Sequence, residues 1–215
     1  MSTPDDKSML RKRLRAQRRA FKGSDRWQAE ASICQLLRQL MDQNSHREQG
    51  RNLGKYIAAY YPFDGEVDLR PLWGGGGYTS SLQESSMHVE NKVNWAFPVH
   101  QAQQALSFVS PVKWTKTEKL PVAKGSEVSL LDIGMIVLPG VAFCNQTGLR
   151  LGLGGGHYDR TLALAEEKSW SGLTFGVGFS FQIQAELPSD PWDYPLDGLV
   201  TELGVKMFAK HLNHK

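Results

Sequence analysis

Apolar positions recur along this chain first at helical spacing and later in short uninterrupted runs. Leu10, Leu14 and Phe21 fall within about 40° of one another on a helix that turns about 100° per residue. Lys7, Arg11, Arg15, Arg18 and Lys22 cluster beside them, so one face is greasy and its flank cationic. Thr3-Pro4-Asp5-Asp6 offers an N-cap hydroxyl, a proline for the first helical position and a carboxylate at the third, which places the helix start there. A second helix is predicted from Ser24 to about Gln43, with Trp27, Ala31, Cys34, Leu37 and Met41 near one side.

Beyond the polar break at Asn44–Asn52, the pattern changes to that of strands. Lys55–Tyr61 reads as a strand ending at Pro62, followed by candidates at Lys92–Phe97, Leu106–Val109, Ile133–Leu138 and Leu173–Phe179. The last two are almost wholly apolar, as strands covered on both faces must be. Helical patterns at Asp68–Trp73 and Tyr158–Glu167 intervene, whereas Gly74–Ser86 and Val112–Val128 read as loops. This alternation predicts an α/β fold: a single three-layer α/β/α domain over residues 1–215 with a mostly parallel sheet. Residues 1–43 form an N-terminal helical arm, carrying the basic helix, that packs on the core.

Composition narrows the function classes. The 215 residues, 40% hydrophobic and 22% charged, suffice for one sizeable core. No apolar run approaches the roughly 20 residues of a spanning helix, and residues 1–22 lack the apolar segment of a secretory signal. Two cysteines, Cys34 and Cys144, cannot build a disulfide framework or a four-ligand zinc site, so a reduced, cytoplasmic setting and no membrane partner are expected. The net charge of +3 is too small to imply nucleic acid. The positive charge is nevertheless local: no acidic residue interrupts Lys7 to Lys22.

The densest chemical signal is the stretch from Gly148 to Arg160, which contains Gly152, Gly154, Gly155 and Gly156 between a buried strand and a helix. Glycines let backbone N–H groups converge on an anion, and a helix N-terminus adds a favourable dipole, so phosphate is the expected guest. A turn that binds nothing is the competing reading. Arg150 and Arg160 bracket the loop and offer charge-assisted donors. The stretch is no Walker loop, because no Gly-Lys-Ser/Thr follows. Glu66, within Asp64-Gly65-Glu66-Val67-Asp68, follows the carboxyl end of the first strand, where open sheets bind ligands. A carboxylate there suits an N–H-bearing substrate, or simply a helix N-terminus. Asp190, Asp193 and Asp197 form a second acidic group usable by Mg²⁺ together with phosphate oxygens.

Taken together, Leu138-Pro139-Gly140-Val141-Ala142-Phe143, Gly148 and the run from Arg150-Leu151-Gly152 to Tyr158-Asp159-Arg160 resemble the signature of the 5-formyltetrahydrofolate cyclo-ligase family. Lys7 and Arg11, the strand with Asp64–Asp68, and Trp192-Asp193 with Asp197 to Glu202 extend the resemblance over nearly the whole chain. His157 and Cys144 depart from the family pattern, which has an aromatic residue before Tyr158 and an aspartate after Phe143. The resemblance implies ATP- and Mg²⁺-dependent cyclisation of 5-formyltetrahydrofolate to 5,10-methenyltetrahydrofolate, with ADP and phosphate released. It implies that Arg150 and Tyr158 serve catalysis. It assigns nucleotide to Lys7, Arg11, Arg150, Leu151, Gly152, Leu153, Gly154, Gly155, Gly156, His157, Tyr158 and Asp159. It assigns the reduced folate to Tyr61, Glu66, Gly155, His157 and Tyr158, and Mg²⁺ to Asp159 and Asp197. A monomer with no specific nucleic-acid partner is expected. The rival functions are a sugar-phosphate isomerase or acyl-transfer enzyme on a related sheet, and an RNA-binding module using the basic arm.

Overall fold

From Ile133 to Leu138 every residue but Gly134 is apolar, and the strand they form is covered on both faces. The structure, a computed structural model, describes residues 4–45, 55–73, 93–100, 102–115 and 122–209. The central strand β5 (Ile133–Pro139) pairs in parallel with β1 (Tyr56–Ala58) on one side and β8 (Leu173–Val177) on the other. Further out, β2 (Asn94–Val99) continues parallel to β1, and β10 (Gly198–Thr201) parallel to β8. The two edges are antiparallel: β3 (Ser107–Thr115) and β4 (Val122–Val128) beyond β2, and β11 (Gly204–Met207) beside β10. The eight strands run β11-β10-β8-β5-β1-β2-β3-β4. The chain thus builds outward from β1 in one direction, then returns to its other side at β5. Ligands bind in open α/β sheets at the carboxyl ends of strands where the order reverses, here β1 and β5.

Period-two alternation divides the core between two layers of helix. Met135 and Val137, with Phe175 and Val200, meet the stripe Ala29, Ile33, Leu37, Leu40 and Met41 of α2 (Gly23–Ser45). Ile136 and Leu138 point the other way, into the cluster that holds Leu162 of α3 (His157–Glu167). The arrangement is the expected three-layer one. The α2 stripe, with its four-residue spacing, turns Ala31 outward and leaves Trp27 78% exposed, so those two do not face the core as the pattern suggested.

A second, three-stranded sheet caps the carboxyl end of β5. It consists of β7 (Arg150–Leu151), β6 (Ala142–Cys144) and β9 (Ile183–Gln184). Phe143 can lie flat on the strand ends because Gly140, Gly176 and Gly178 have no side chain: a methyl group there would come within 2.6, 2.6 and 2.5 Å of its ring. The arm helix α1 (Pro4–Ala20) lays Leu10 and Leu14 against Val141, Ala142, Leu151 and Leu187 of this cap. Truncating Leu14, 2% exposed, would cost roughly 2–5 kcal/mol. Phe21 meets Phe179 and Phe181 edge-on.

Several expected boundaries shift. Residues 112–115 and 122–128, read as loop, belong to β3 and β4, edge strands whose lysines, serine and glutamate mask the alternation. Asp68–Trp73 contains only the 3₁₀ turn Arg70–Leu72 rather than a helix. Gly74–Ser86 lies outside the described residues. Among the described residues, no helix is long and apolar enough to cross a membrane.

Candidate active site

Two clusters meet at the carboxyl end of the sheet, and α1 touches both. The first is built on the glycine loop between β7 and α3. Gly156 adopts the left-handed conformation (φ 62°) and turns the chain into α3, whose first-turn N–H groups have no intrahelical partner. A side chain at Gly156 would be strained, and its Cβ would come within 2.8 Å of Arg160 Nη1. Arg150, 7% exposed, donates from Nη2 to Asp159 Oδ1 at 2.9 Å, and its guanidinium lies 5.3 Å from the centre of the Tyr158 ring. Arg160 donates to the Gly155 carbonyl at 2.7 Å. The Nε groups of both arginines are buried and make no hydrogen bond among the described residues. Two buried donors beside a glycine-rich helix start form a cradle for an anion.

The arm helix supplies the rest of this cluster. Arg11 Nε donates to the Gly152 carbonyl at 2.9 Å, and a methyl group on Gly154 would lie 3.7 Å from its Cζ. One turn earlier, Lys7 Nζ binds Asp190 at 2.6 Å and Asp193 at 3.2 Å. Burial opposes its charge, but the two carboxylates prevail and hold its pKa above the ordinary lysine value. Leu151 turns its side chain into the α1 contact, so it can offer a ligand only its backbone, whereas Leu153 is 46% exposed. His157 pairs with the Gln104 carbonyl at 3.1 Å and stands edge-on to His100.

The second cluster surrounds Glu66. Its carboxylate is 8% exposed, and Oε2 accepts the Phe63 N–H at 3.0 Å. Burial pushes its pKa up to about 7, against the pull of Arg18 and of that N–H. Tyr60 and Tyr158 both feel the Glu66 charge; burial first, then Glu66, raises the pKa of each hydroxyl well above the ordinary tyrosine value. Tyr158 therefore stands between the clusters, under Arg150 on one side and within the field of Glu66 on the other. Tyr61 is half-buried with Arg70 over its ring at 5.8 Å.

The profile of the 5-formyltetrahydrofolate cyclo-ligase family matches residues 3–202. The chain belongs to that family. It is an enzyme, a ligase of folate one-carbon metabolism. A 5-formyltetrahydrofolate cyclo-ligase of Haemophilus influenzae is 31% identical over 199 residues, covering 88% of this chain and 94% of the relative. The Escherichia coli K12 enzyme of that name is 34% identical over 152 residues, covering 67% and 76%. The solution structure of Aquifex aeolicus 5,10-methenyltetrahydrofolate synthetase superposes with a TM-score of 0.71 at 30% identity, covering 97% of this chain and 99% of the other.

Within this cyclo-ligase, the expected metal residues are in different surroundings. Among the described residues, no three His, Cys, Asp or Glu side chains gather as a metal cage. Mg²⁺ asks for less, since one or two carboxylates suffice when phosphate oxygens complete its shell. Asp159 fits that demand: it lies in the first turn of α3, partly exposed, and Arg150 engages only its Oδ1. Asp197 is committed elsewhere. It stands at the amino end of β10, where its Oδ2 accepts the Thr174 N–H and hydroxyl at 2.9 Å each. Cys144 is 2% exposed, and its thiol donates to the Ala185 carbonyl. The sequence reading missed Asp64 and Arg18 as partners at the Glu66 turn, and Asp190 and Asp193 as partners of Lys7.

Proposed function

We propose that the chain catalyses the ATP- and Mg²⁺-dependent closure of 5-formyltetrahydrofolate to 5,10-methenyltetrahydrofolate, releasing ADP and phosphate. The observation that carries this reading is the juxtaposition, across Tyr158, of an anion cradle with unpaired buried arginine donors and a buried acid whose pKa is about 7. ATP phosphates bind the backbone of Gly152 to Gly156 and the first turn of α3, with Arg150, Arg11 and Lys7 neutralising charge. Asp159 would hold Mg²⁺, which when bound would supply charge neutralisation to the phosphate oxygens.

The folate lies on the Glu66 side. Its formyl oxygen attacks the γ-phosphorus, the bond to ADP breaks, and the formyl carbon becomes electrophilic. N10 then attacks that carbon, the carbon–oxygen bond breaks, and phosphate departs with both electrons. The proton lost from N10 needs an acceptor, and Glu66, with a pKa near neutral, is matched to that task. Arg150 supplies the charge that the transferring phosphoryl group requires, and positioning accounts for the remainder. The cations of α1 support a nucleotide role over an RNA-binding arm, because Lys7, Arg11, Arg15, Arg18 and Arg19 each have partners within the protein.

The decisive experiment follows ultraviolet absorbance of the purified protein with 5-formyltetrahydrofolate, ATP and Mg²⁺. A methenylfolate band should grow only in the complete mixture. Absence of the band with a folded, ATP-binding protein would reject the folate assignment.

A further inference from the structure

Arg18 is the most deeply buried charged side chain among the described residues, 1% exposed. Its position is unusual for a residue of a basic helix, and its bonds explain it. Nη1 donates to the Gly140 carbonyl at 2.9 Å, just past the end of β5. Nε donates to the Asp64 carbonyl at 3.0 Å, and Nη2 to Asp64 Oδ2 at 3.2 Å, in the turn that follows β1. One guanidinium therefore ties together the two strand ends that flank the reversal of strand order. Its Nη1 also lies 4.0 Å from Glu66 Oε1.

The turn it grips is conformationally demanding. Asp64 and Gly65 both have positive φ, 52° and 77°, and a methyl group on Gly65 would come within 3.1 Å of the Arg18 carbonyl. A non-glycine residue stays in the left-handed region only when its surroundings fix it there. Three arginines of α1 do so: Arg15 and Arg19 join Arg18 on the Asp64 carboxylate, at 2.6 and 2.9 Å. The turn leads directly to Glu66, whose N–H donates to the Phe63 carbonyl while its carboxylate accepts the Phe63 N–H.

We propose that Arg18 is a positioning residue for the cyclo-ligase reaction, holding the Asp64–Glu66 turn against the end of β5 so that the Glu66 carboxylate is aimed, and kept ionisable, toward the reduced folate. The inference rests on the folate reading of the Glu66 cluster. The groups facing Glu66 are Arg18 and Arg15 from α1, Asp64 from its own turn, Tyr60 after β1 and Tyr158 from α3. Arg18 and Arg15 favour the carboxylate, whereas Asp64 and burial oppose it. Losing Arg18 removes the nearer positive charge, so the acidic limb of activity must move to higher pH.

The test compares the wild type with Arg18→Lys and Arg18→Met, each alone and with Glu66→Gln. The readouts are kcat/KM for 5-formyltetrahydrofolate against pH, KM for ATP, and the Kd of 5-formyltetrahydrofolate by calorimetry. Arg18→Met should weaken folate binding at least tenfold, leave KM for ATP within about twofold, and raise the acidic limb. Arg18→Lys keeps the charge but cannot hold both carbonyls, so it should weaken folate binding while the limb stays near the wild-type position. In the Glu66→Gln background the effect of either substitution on folate binding should largely disappear, because coupled residues are not additive. An unmoved limb in Arg18→Met, equal damage to ATP and folate parameters, or full additivity with Glu66→Gln would overturn the proposal. Should Arg18→Met fail to fold, the Arg18→Lys cycle with Glu66→Gln decides by itself. A wild-type protein that neither binds nor converts 5-formyltetrahydrofolate would instead refute the functional reading.

Discussion

The glycine loop and the Glu66 turn both act on Tyr158, the one through Arg150 over its ring and the other through the Glu66 charge, and they are built on opposite plans. At the loop, backbone conformation does the shaping and the side-chain donors remain incomplete: Arg150 Nε and Arg160 Nε are buried without hydrogen bonds among the described residues. At the turn, side chains do the shaping. Asp64 is gripped by three arginines, and Glu66 is framed by Phe63 N–H and Arg18. An incomplete set of donors is stabilised when a multiply charged ligand arrives. A completed frame around a strained turn instead presets one carboxylate. Substitutions in the loop should therefore act mainly through charge in the phosphoryl step, and substitutions in the turn through folate binding and its pH dependence.

The largest effect should come from Arg150. Arg150→Ala removes a buried donor aimed at the anion cradle, and kcat should fall on the order of 10²–10³-fold. Single-turnover kinetics with saturating ATP and folate measure the loss directly. Near-normal turnover would erase the distinction between the two regions, since the unpaired Nε would then have no chemical consequence.

Glu66→Gln should produce the next largest change. The amide keeps an acceptor for Phe63 N–H but loses the charge and cannot take the N10 proton, so folate KM should rise roughly 10–100-fold, the range of one charge-assisted hydrogen bond, and kcat should fall with it. KM for ATP should be nearly unchanged. Stability supplies a separate readout. The Glu66 pKa is raised from 4.5 to about 7, so the folded state binds this proton more tightly than the unfolded chain. Its stabilising contribution is complete below about pH 4.5 and is lost as pH rises through about 7. Thermal melts at pH 5 and pH 8 should show Glu66→Gln gaining on the wild type at the higher pH, by an amount on the order of 1–3 kcal/mol. An unchanged difference between the two would mean that the carboxylate is solvated rather than framed.

Gly156→Ala probes the backbone plan of the loop. The left-handed φ of 62° and the 2.8 Å approach to Arg160 Nη1 penalise any side chain. The variant should lose about 1–2 kcal/mol of stability. Its KM for ATP should rise several-fold with folate KM preserved, as steady-state kinetics on the two substrates would show. An equal rise in both would indicate that loop and turn are one mechanical unit.

The two regions were also unequally legible in the sequence. Gly152 to Gly156, Arg150 and Asp159 lie within ten residues, so glycine density and a following helix were enough to mark a candidate anion site, and the structure pairs Arg150 with Asp159 there. The parallel core was legible for a similar reason: Ile133–Leu138 and Leu173–Val177 announce burial on both faces. The polar edges β3 and β4 and the two- and three-residue strands of the cap were not, because short or mixed-polarity segments leave no clear period. The frame around Glu66 depends on contacts between residues 18, 64, 66 and 140, which no local pattern reveals. One clue was present. Arg18 lies one turn after Leu14, where the cationic flank of α1 borders its apolar stripe, and a cation carried toward the core needs buried partners.

Lys7 should give the smallest effect and the finest distinction. It belongs to the nucleotide side by position, one helical turn before Arg11, yet in the structure its ammonium is engaged by Asp190 and Asp193. Such a partly exposed ion pair contributes roughly 0–1 kcal/mol, so Lys7→Ala should shift the melting temperature by only a few degrees. On the assigned role, the ammonium leaves its carboxylates for a phosphate oxygen, and the gain in that exchange is a difference between two charge pairs. KM for ATP should therefore rise only a few-fold in Lys7→Ala, while Asp190→Asn, which weakens the competing pair, should lower it slightly. Added salt should shrink both effects, because screening acts on exposed pairs first. If Lys7→Ala instead matched Arg150→Ala in kcat, Lys7 would have to be counted with the buried donors. The incomplete set at the glycine loop would then extend along α1.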